Sequence, residues 1–405
     1  MHIFLNAAAA DSASGLTYLR NVLPQLSASE IVETTLLVKA RFRDEFANMP
    51  HVSVSTEEIS NHPARRFLFE QMALPTLILR AGSDILISAG NFGLRTSPVP
   101  QILLSGNSLY TSHDFSRDLR SRGEGRLWMD NQLKSYLALR SIRWADCTVA
   151  PSRAFAGELE RRSQKPVTAL HHGFDPQIFF ADSQPLSSEV QQKLEAARSG
   201  LRLLFVSHYN YYRNFETLLR AIPLLRDRLR PQKLRVFLTC ALRSEENPGL
   251  HRAEAAAEMV KRLGISEEVV ELGSIPYRQV HQVYKHCDIY VSPAYAESFA
   301  HPLVEAMASG LPIVASEVPV HREICDTAAI YFERFSAEGL SDRVLQIHQS
   351  PELRSQLVSS GLARAQQFSW REHVRQLISI ASRLLQEAQQ GCSVASVKGM
   401  PLRSI

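Results

Sequence analysis

Residues Asp288 to Ser316 read DIYVSPAYAESFAHPLVEAMASGLPIVAS, and the order of residue types in this stretch decides the fold. Ile289–Ser292 is a short apolar run of the kind that forms a buried strand. An irregular loop follows to Ala300. Pro302 then stands at a first-turn position of a helix, where its missing N–H does no harm and its fixed φ helps. Gly310 closes the helix, and Leu311-Pro312 leads into the next apolar run, Ile313–Ala315. The helix N-terminus carries unpaired N–H groups and the positive end of the dipole, which together make a ready anion site. Glu297 sits in the loop before it, and Glu305 is expected within its first turn. A carboxylate beside a phosphate site is tolerated where hydroxyl groups donate hydrogen bonds to it, as those of a sugar or ribose do. The bland alternative is that Glu305 only complements the dipole and Glu297 is a solvated loop residue.

The same alternation extends outward in both directions. Strands are expected at Ile3–Asn6, Thr35–Lys39, Ile85–Ser88, Gln101–Ser105, Cys147–Ala150 and Val167–Leu170. Helices are expected at Leu16–Leu26, Arg65–Leu79, Arg126–Trp144 and Ser152–Arg161 between them. From Leu201 the pattern restarts, with strands at Leu201–Val206, Arg235–Thr239 and Val269–Leu272 and a helix at Phe215–Leu229. Alternating strands and helices predict parallel sheets covered on both faces. The expected architecture is therefore α/β, with two Rossmann-like domains facing a cleft. The first spans 1–178 and the second 200–371. A polar segment from about Phe180 to Gly200 reads as a linker with a short exposed helix. A last amphipathic helix spans about 372–390, and 391–405 reads as a mobile tail. Ligands of open α/β sheets bind beyond the carboxyl ends of the strands.

Composition narrows the function. The 405 residues exceed one ordinary core, and a formal charge of +4 lends no support to a nucleic-acid partner. Five widely spaced cysteines without a CxxC pair argue for reduced thiols and a cytoplasmic location. The N-terminus lacks a basic leader, and no apolar run is long enough to span a bilayer. GxGxxG and GxxxxGK[ST] are absent, and so is HExxH, while His171-His172 lacks a third ligand at metal spacing; no catalytic metal or cofactor is expected. Arg117, Arg120, Arg122, Arg126, Lys134, Arg140 and Arg143 form a basic band diluted by Asp118, Glu124 and Asp130. It reads as a solvated helical face, with peripheral contact to an anionic membrane surface as the functional alternative.

The pairing of Glu297-Ser298-Phe299 with Glu305 and the following Glu-Ala-Met-Ala-Ser-Gly-Leu-Pro-Ile-Val-Ala-Ser resembles retaining glycosyltransferases of family 4, whose fold is GT-B. Ser14-Gly15-Leu16, Ala150-Pro151-Ser152, His172-Gly173-Phe174-Asp175 and Phe368-Ser369-Trp370 extend the resemblance over nearly the whole chain, the last resembling the start of the family's C-terminal helix that crosses back to the first domain. The resemblance implies transfer of a sugar from a nucleoside diphosphate sugar to a saccharide or lipid-linked acceptor hydroxyl. By the same resemblance Glu305 binds the donor ribose and Glu297 the transferred sugar. N–H groups around Phe299, Ala300 and His301, at the helix end ahead of Leu303, face the phosphates. Gly15 stands in the N-terminal glycine loop, and Ser274 and Ile275 flank the nucleobase. The family's basic pair falls on His208 and Arg213; Arg213 keeps the charge, whereas His208 replaces a permanent cation. On the acceptor side either Asn107 or His113, with Asp114 beside it, occupies the place of a histidine that touches sugar and acceptor. A role in bacterial cell-surface polysaccharide or glycolipid synthesis follows by analogy. A sugar-nucleotide epimerase of the same fold and a non-catalytic glycosyltransferase-like subunit are the alternatives.

Overall fold

A computed structural model of the chain describes residues 1–10, 13–57, 59–60, 63–247 and 251–397. Its strands are β1 (His2–Asn6), β2 (Glu33–Lys39), β3 (Val52–Glu57), β4 (Ile85–Ser88), β5 (Gln101–Leu104), β6 (Cys147–Ala150), β7 (Thr168–Ala169), β8 (Leu201–Phe205), β9 (Leu234–Leu238), β10 (Val269–Glu271), β11 (Ile289–Ser292), β12 (Ile313–Ser316) and β13 (Ala329–Phe332). The helices that shape the site are α1 (Ala13–Ser27), α2 (His113–Ser121), α3 (Gly125–Trp144), α4 (Phe215–Leu229), α5 (His301–Ala308) and α6 (Trp370–Val397).

Among the described residues the strands form two sheets, one of seven strands in the order β3-β2-β1-β4-β5-β6-β7 and one of six in the order β10-β9-β8-β11-β12-β13. The pairings are parallel throughout both. Central strands such as ILIS in β4 and IVAS in β12 are buried at every position, as helices on both faces of a parallel sheet require. The architecture is thus two parallel-sheet, Rossmann-like α/β domains.

Two compact units carry these sheets. The first comprises Met1–Thr111, Asp130–Gly173 and the chain from Trp370; the second comprises Ser112–Met129 and Phe174–Ser369. In the first, α6 inserts Trp370, Val374, Leu377, Ile380, Ala381 and Leu384 into a core built on Ile3, Leu5, Leu36 and Ile87. That C-terminal helix is therefore part of the first unit's interior.

Several local expectations change. The segment read as one helix over Arg65–Leu79 is two, Pro63–Met72 and Leu74–Ala81, because Pro75 has no N–H to continue the first helix and fits the opening turn of the second. β3 was not expected: it is an edge strand with one fully buried residue, so its apolar signal is weak. β13 was also missed. The supposed linker contains a helix, Ser188–Ala196, that buries Val190 and Leu194, so it is packed rather than exposed. The last helix runs to Val397 instead of ending near Gln389, and residues 398–405 lie outside the described residues.

Candidate functional site

The second sheet reverses its winding between β8 and β11, since β9 and β10 lie on one side and β12 and β13 on the other. Loops leaving the carboxyl ends of those two strands flank the switch point where open sheets hold ligands. One loop, after β8, ends in the short turn Tyr211–Arg213. The other, after β11, ends at Ala300, the residue before α5. These two loops supply the central pair of the site: an Arg213 Nη1 N–H donates to Glu297 Oε1. Both side chains are largely covered, 20% and 9% exposed. Burial disfavours charge on Arg213, but the Glu297 carboxylate together with Tyr212 and Tyr290 outweighs it and keeps the guanidinium cationic. Burial likewise pushes the Glu297 carboxyl above its ordinary range, and Arg213 pulls it back. Glu297 is thus a paired, buried carboxylate and not a solvated loop residue.

Glu305 proves equally removed from solvent, at 5% exposed. It is the fifth residue of α5 and so stands one position beyond the first turn, deeper than the sequence reading placed it. The Tyr284 hydroxyl donates to its Oε2 at 3.1 Å. Burial pushes the Glu305 carboxyl up to about 7, with the Tyr284 hydrogen bond partly opposing the shift. A carboxylate meant only to complement the helix dipole would lie on the surface. This one is held in the interior, near its point of ionisation at neutral pH.

The start of α5 lacks a side-chain cap. Ala300, the residue before it, has φ +67°, a left-handed conformation that glycine adopts without strain and alanine does at a cost of about 1–2 kcal/mol. Phe299 is buried, and its ring lies 4.8 Å from that of His301 and 5.5 Å from Phe368. Leu303 is buried, so the first turn of α5 is pinned by its apolar side. His301 is held neutral by burial and by Arg213, down to about 4. His208 is also lowered, by burial first and Arg213 second, and its Nδ1 is buried without a hydrogen-bond partner. Arg213 is therefore the cation of this cluster, and the two histidines around it are neutral. Ser274 is exposed and Ile275 half-buried in the loop after β10, next to Gly273 at φ +75°.

The first unit holds the remaining sequence-derived positions. Gly15 lies in the first turn of α1, where an added Cβ would come within 3.1 Å of the Ala10 Cα; glycine is there for close approach. Asn107 follows β5 and is committed locally: its Oδ1 accepts from the Leu109 N–H at 3.0 Å, and its own N–H donates to Asn91 at 2.9 Å. His113 and Asp114 open α2, which belongs to the second unit, so the structure assigns them apart from Asn107. His113 is exposed. Asp114 is engaged by Arg117 at 2.6 Å and Arg334 at 3.1 Å. The residues that sequence reasoning missed are Tyr284, which no motif marks, and Asn214, whose side chain donates to the Pro293 carbonyl at 3.0 Å and joins the two loops. Arg122 also leaves the expected solvated band, because it pairs with Asp118 at 2.7 Å and Glu216 at 2.9 Å.

The family model described as Glycosyl transferases group 1 matches residues 187–364, which contain both loops, α4 and α5. The match spans 178 of the chain's 405 residues. Likeness in fold extends over nearly the whole chain. Anabaena HepE in complex with UDP-glucose superposes with a TM-score of 0.68 over 95% of this chain and 100% of its own, at 17% identity. D-inositol 3-phosphate glycosyltransferase of Corynebacterium aurimucosum is 25% identical over 217 residues, 53% of this chain and 50% of that protein. O-antigen chain mannosyltransferase B of Escherichia coli is 32% identical over 108 residues, 27% of this chain and 28% of that protein. The chain thus spans half or less of the length of these curated relatives. Among the described residues, no helix is long and apolar enough to cross a membrane.

Proposed function

We propose that this chain is a retaining glycosyltransferase that moves a sugar from a nucleoside diphosphate sugar to an acceptor hydroxyl. The observation that carries the reading is the joint placement of Arg213, Glu297 and Glu305 around the uncapped start of α5 at the sheet's switch point. Departure of a nucleoside diphosphate builds negative charge while the sugar gains oxocarbenium character. Arg213 and the first N–H groups of α5 supply fixed positive charge to the diphosphate, an electrostatic role that calls for no metal held by the protein. Glu305 accepts the ribose hydroxyls. Donation to its carboxylate favours the ionised form, so donor binding drives off the proton that burial retains. Glu297 accepts hydroxyls of the transferred sugar while Arg213 holds it in register. No side chain in the cluster is placed as a strong base, which suits a reaction in which the leaving phosphate takes the acceptor proton on the same face and configuration is retained. Ser274 and Ile275 complete the donor site in this reading, and His113 and Asp114 stand on the acceptor side. The names of the curated relatives favour an acceptor from cell-surface polysaccharide or phosphorylated-polyol chemistry.

The deciding experiment is a thermal-shift screen of the full chain with UDP, GDP, TDP and ADP, followed by anomeric analysis of the product by NMR. Stabilisation by one nucleotide, its loss in Glu305→Ala, and a product with the donor's anomeric configuration are expected. No stabilisation by any of the four nucleotides would overturn the proposal.

A further inference from the structure

The two loops that present Arg213 and Glu297 are gripped by a third piece of chain. Residues 112–129 are an excursion: the chain up to Thr111 and from Asp130 belongs to the first unit, whereas Ser112–Met129 belongs to the second. On this strap α2 buries Phe115 and Leu119. The Phe115 ring meets that of Tyr212 edge-on at 6.4 Å. The Arg122 guanidinium lies 4.2 Å over the Tyr211 ring, and the Tyr211 hydroxyl donates to Glu124 at 3.0 Å. Tyr211 and Tyr212 are two residues of the turn whose third is Arg213.

The other loop is held from the same side. Tyr295, two positions before Glu297, donates its hydroxyl to Asp118 Oδ2 at 2.7 Å. Arg122 closes the network by donating from Nε to Asp118 Oδ1 at 2.7 Å and from Nη2 to Glu216, in the first turn of α4, at 2.9 Å. The loops are also tied directly, because the Tyr295 N–H donates to the Tyr212 carbonyl at 3.0 Å. Asp118 and Arg122 make none of these contacts with Arg213 or Glu297 themselves; they hold the residues beside them. A half-buried charge network of this kind is costly unless every member is satisfied, and when satisfied it favours one register over its neighbours.

We propose that residues 112–129 form a positioning strap for the Arg213–Glu297 pair, with Asp118 and Arg122 as its positioning residues. The strap sets the turn Tyr211–Arg213 against the loop before α5, so that the guanidinium meets the carboxylate in one geometry. The functional consequence rests on the reading of that pair as the donor site. The strap itself is testable without a ligand. Misplacing a charge-stabilising group by about 1 Å costs on the order of 100-fold in rate, so loss of the strap registers in kcat more than in KM.

The test uses the full chain carrying Tyr295→Phe, Arg122→Gln or Arg122→Lys, with Arg120→Gln as a strap control whose guanidinium lies over Trp128 of the strap itself. Hydrogen exchange read by mass spectrometry, without ligand, should rise several-fold in peptides spanning 208–217 and 293–299 for Tyr295→Phe and Arg122→Gln. Other peptides of the second unit, and all peptides in Arg120→Gln, should be unchanged. With the nucleoside diphosphate sugar that the wild type turns over, kcat should fall about tenfold at nearly constant KM, and Arg122→Lys should recover part of the loss. Unchanged exchange in both peptides overturns the strap, and so does a uniform rise across the second unit, which marks mere scaffolding. A wild type that binds none of the four nucleotides sinks the donor-site reading instead, while the exchange data still decide the strap.

Discussion

Glu305 has a measurable signature in the free protein. An unfolded chain ionises it near the ordinary 4.5, whereas the folded chain holds its proton up to about 7. Between those values the folded state binds more protons than the unfolded one, so this residue's contribution to stability declines as pH rises from 4.5 to 7. Glu305→Gln removes the dependence. Denaturant titrations at pH 5 and pH 8 should therefore show the wild type losing stability relative to the variant, by on the order of 3 kcal/mol. Equal pH dependence in the two proteins would show that Glu305 ionises normally. The Arg213–Glu297 pair makes a different prediction. Arg213→Met strands the Glu297 carboxylate in a site where it is 9% exposed, and should destabilise the chain by about 3–5 kcal/mol in urea unfolding. Arg213→Met with Glu297→Leu should recover most of that stability without recovering nucleotide binding, because two matched apolar groups need no counter-charge.

At the scale of elements, α6 shows how a helix distant in sequence completes a core. Its apolar residues Val374, Leu377, Ala381 and Leu384 join the core cluster of the first unit and pack with α1. Near its start, the Tyr18 hydroxyl and His373 Nε2 lie 3.0 Å apart, and His373 Nδ1 meets the His171 carbonyl at 2.9 Å. Leu377 is 1% exposed, so Leu377→Ala leaves a cavity and should cost about 2–5 kcal/mol, read as a lowered melting temperature. A change below 1 kcal/mol would mean that α6 docks loosely. At the same scale, α5 combines features visible in the sequence, Pro302 near its start and Gly310 at φ +71° after its end, with one that is not: the left-handed Ala300.

For the whole molecule, neither unit is a continuous piece of chain. The first is closed by residues from Trp370 onward, and the second takes in Ser112–Met129 from within the first. Ending the chain at Ser369 removes six core residues of the first unit and leaves the second intact. Limited proteolysis of that truncated protein should degrade residues 1–111 while a fragment spanning 174–369 persists. Survival of the N-terminal fragment would show that its core closes without α6.

Much of this was legible in the amino-acid sequence. Buried parallel strands are short apolar runs, so β1, β4, β6 and β11 stand where the residues place them. Helix punctuation by Pro302 and Gly310 is local chemistry, and it located α5. Glu297 and Glu305 could be singled out beside that helix, and Arg213 by the resemblance to the family 4 glycosyltransferases. What tertiary structure alone decided is which of these groups meet. Arg213 and Glu297 are 84 positions apart, and only the strand order, with β8 beside β11, brings their loops together. Glu305 became a buried acid with a raised pKa because Tyr284 and the surrounding core exclude water, which no spacing rule encodes. Asp118 and Arg122 resembled a solvated face because their partners Tyr295 and Glu216 lie far along the chain. Local pattern determines which segments are strands and helices, since periodicity and capping act within a few residues. Charge pairing and burial depend on distance in space, and the fold sets that distance.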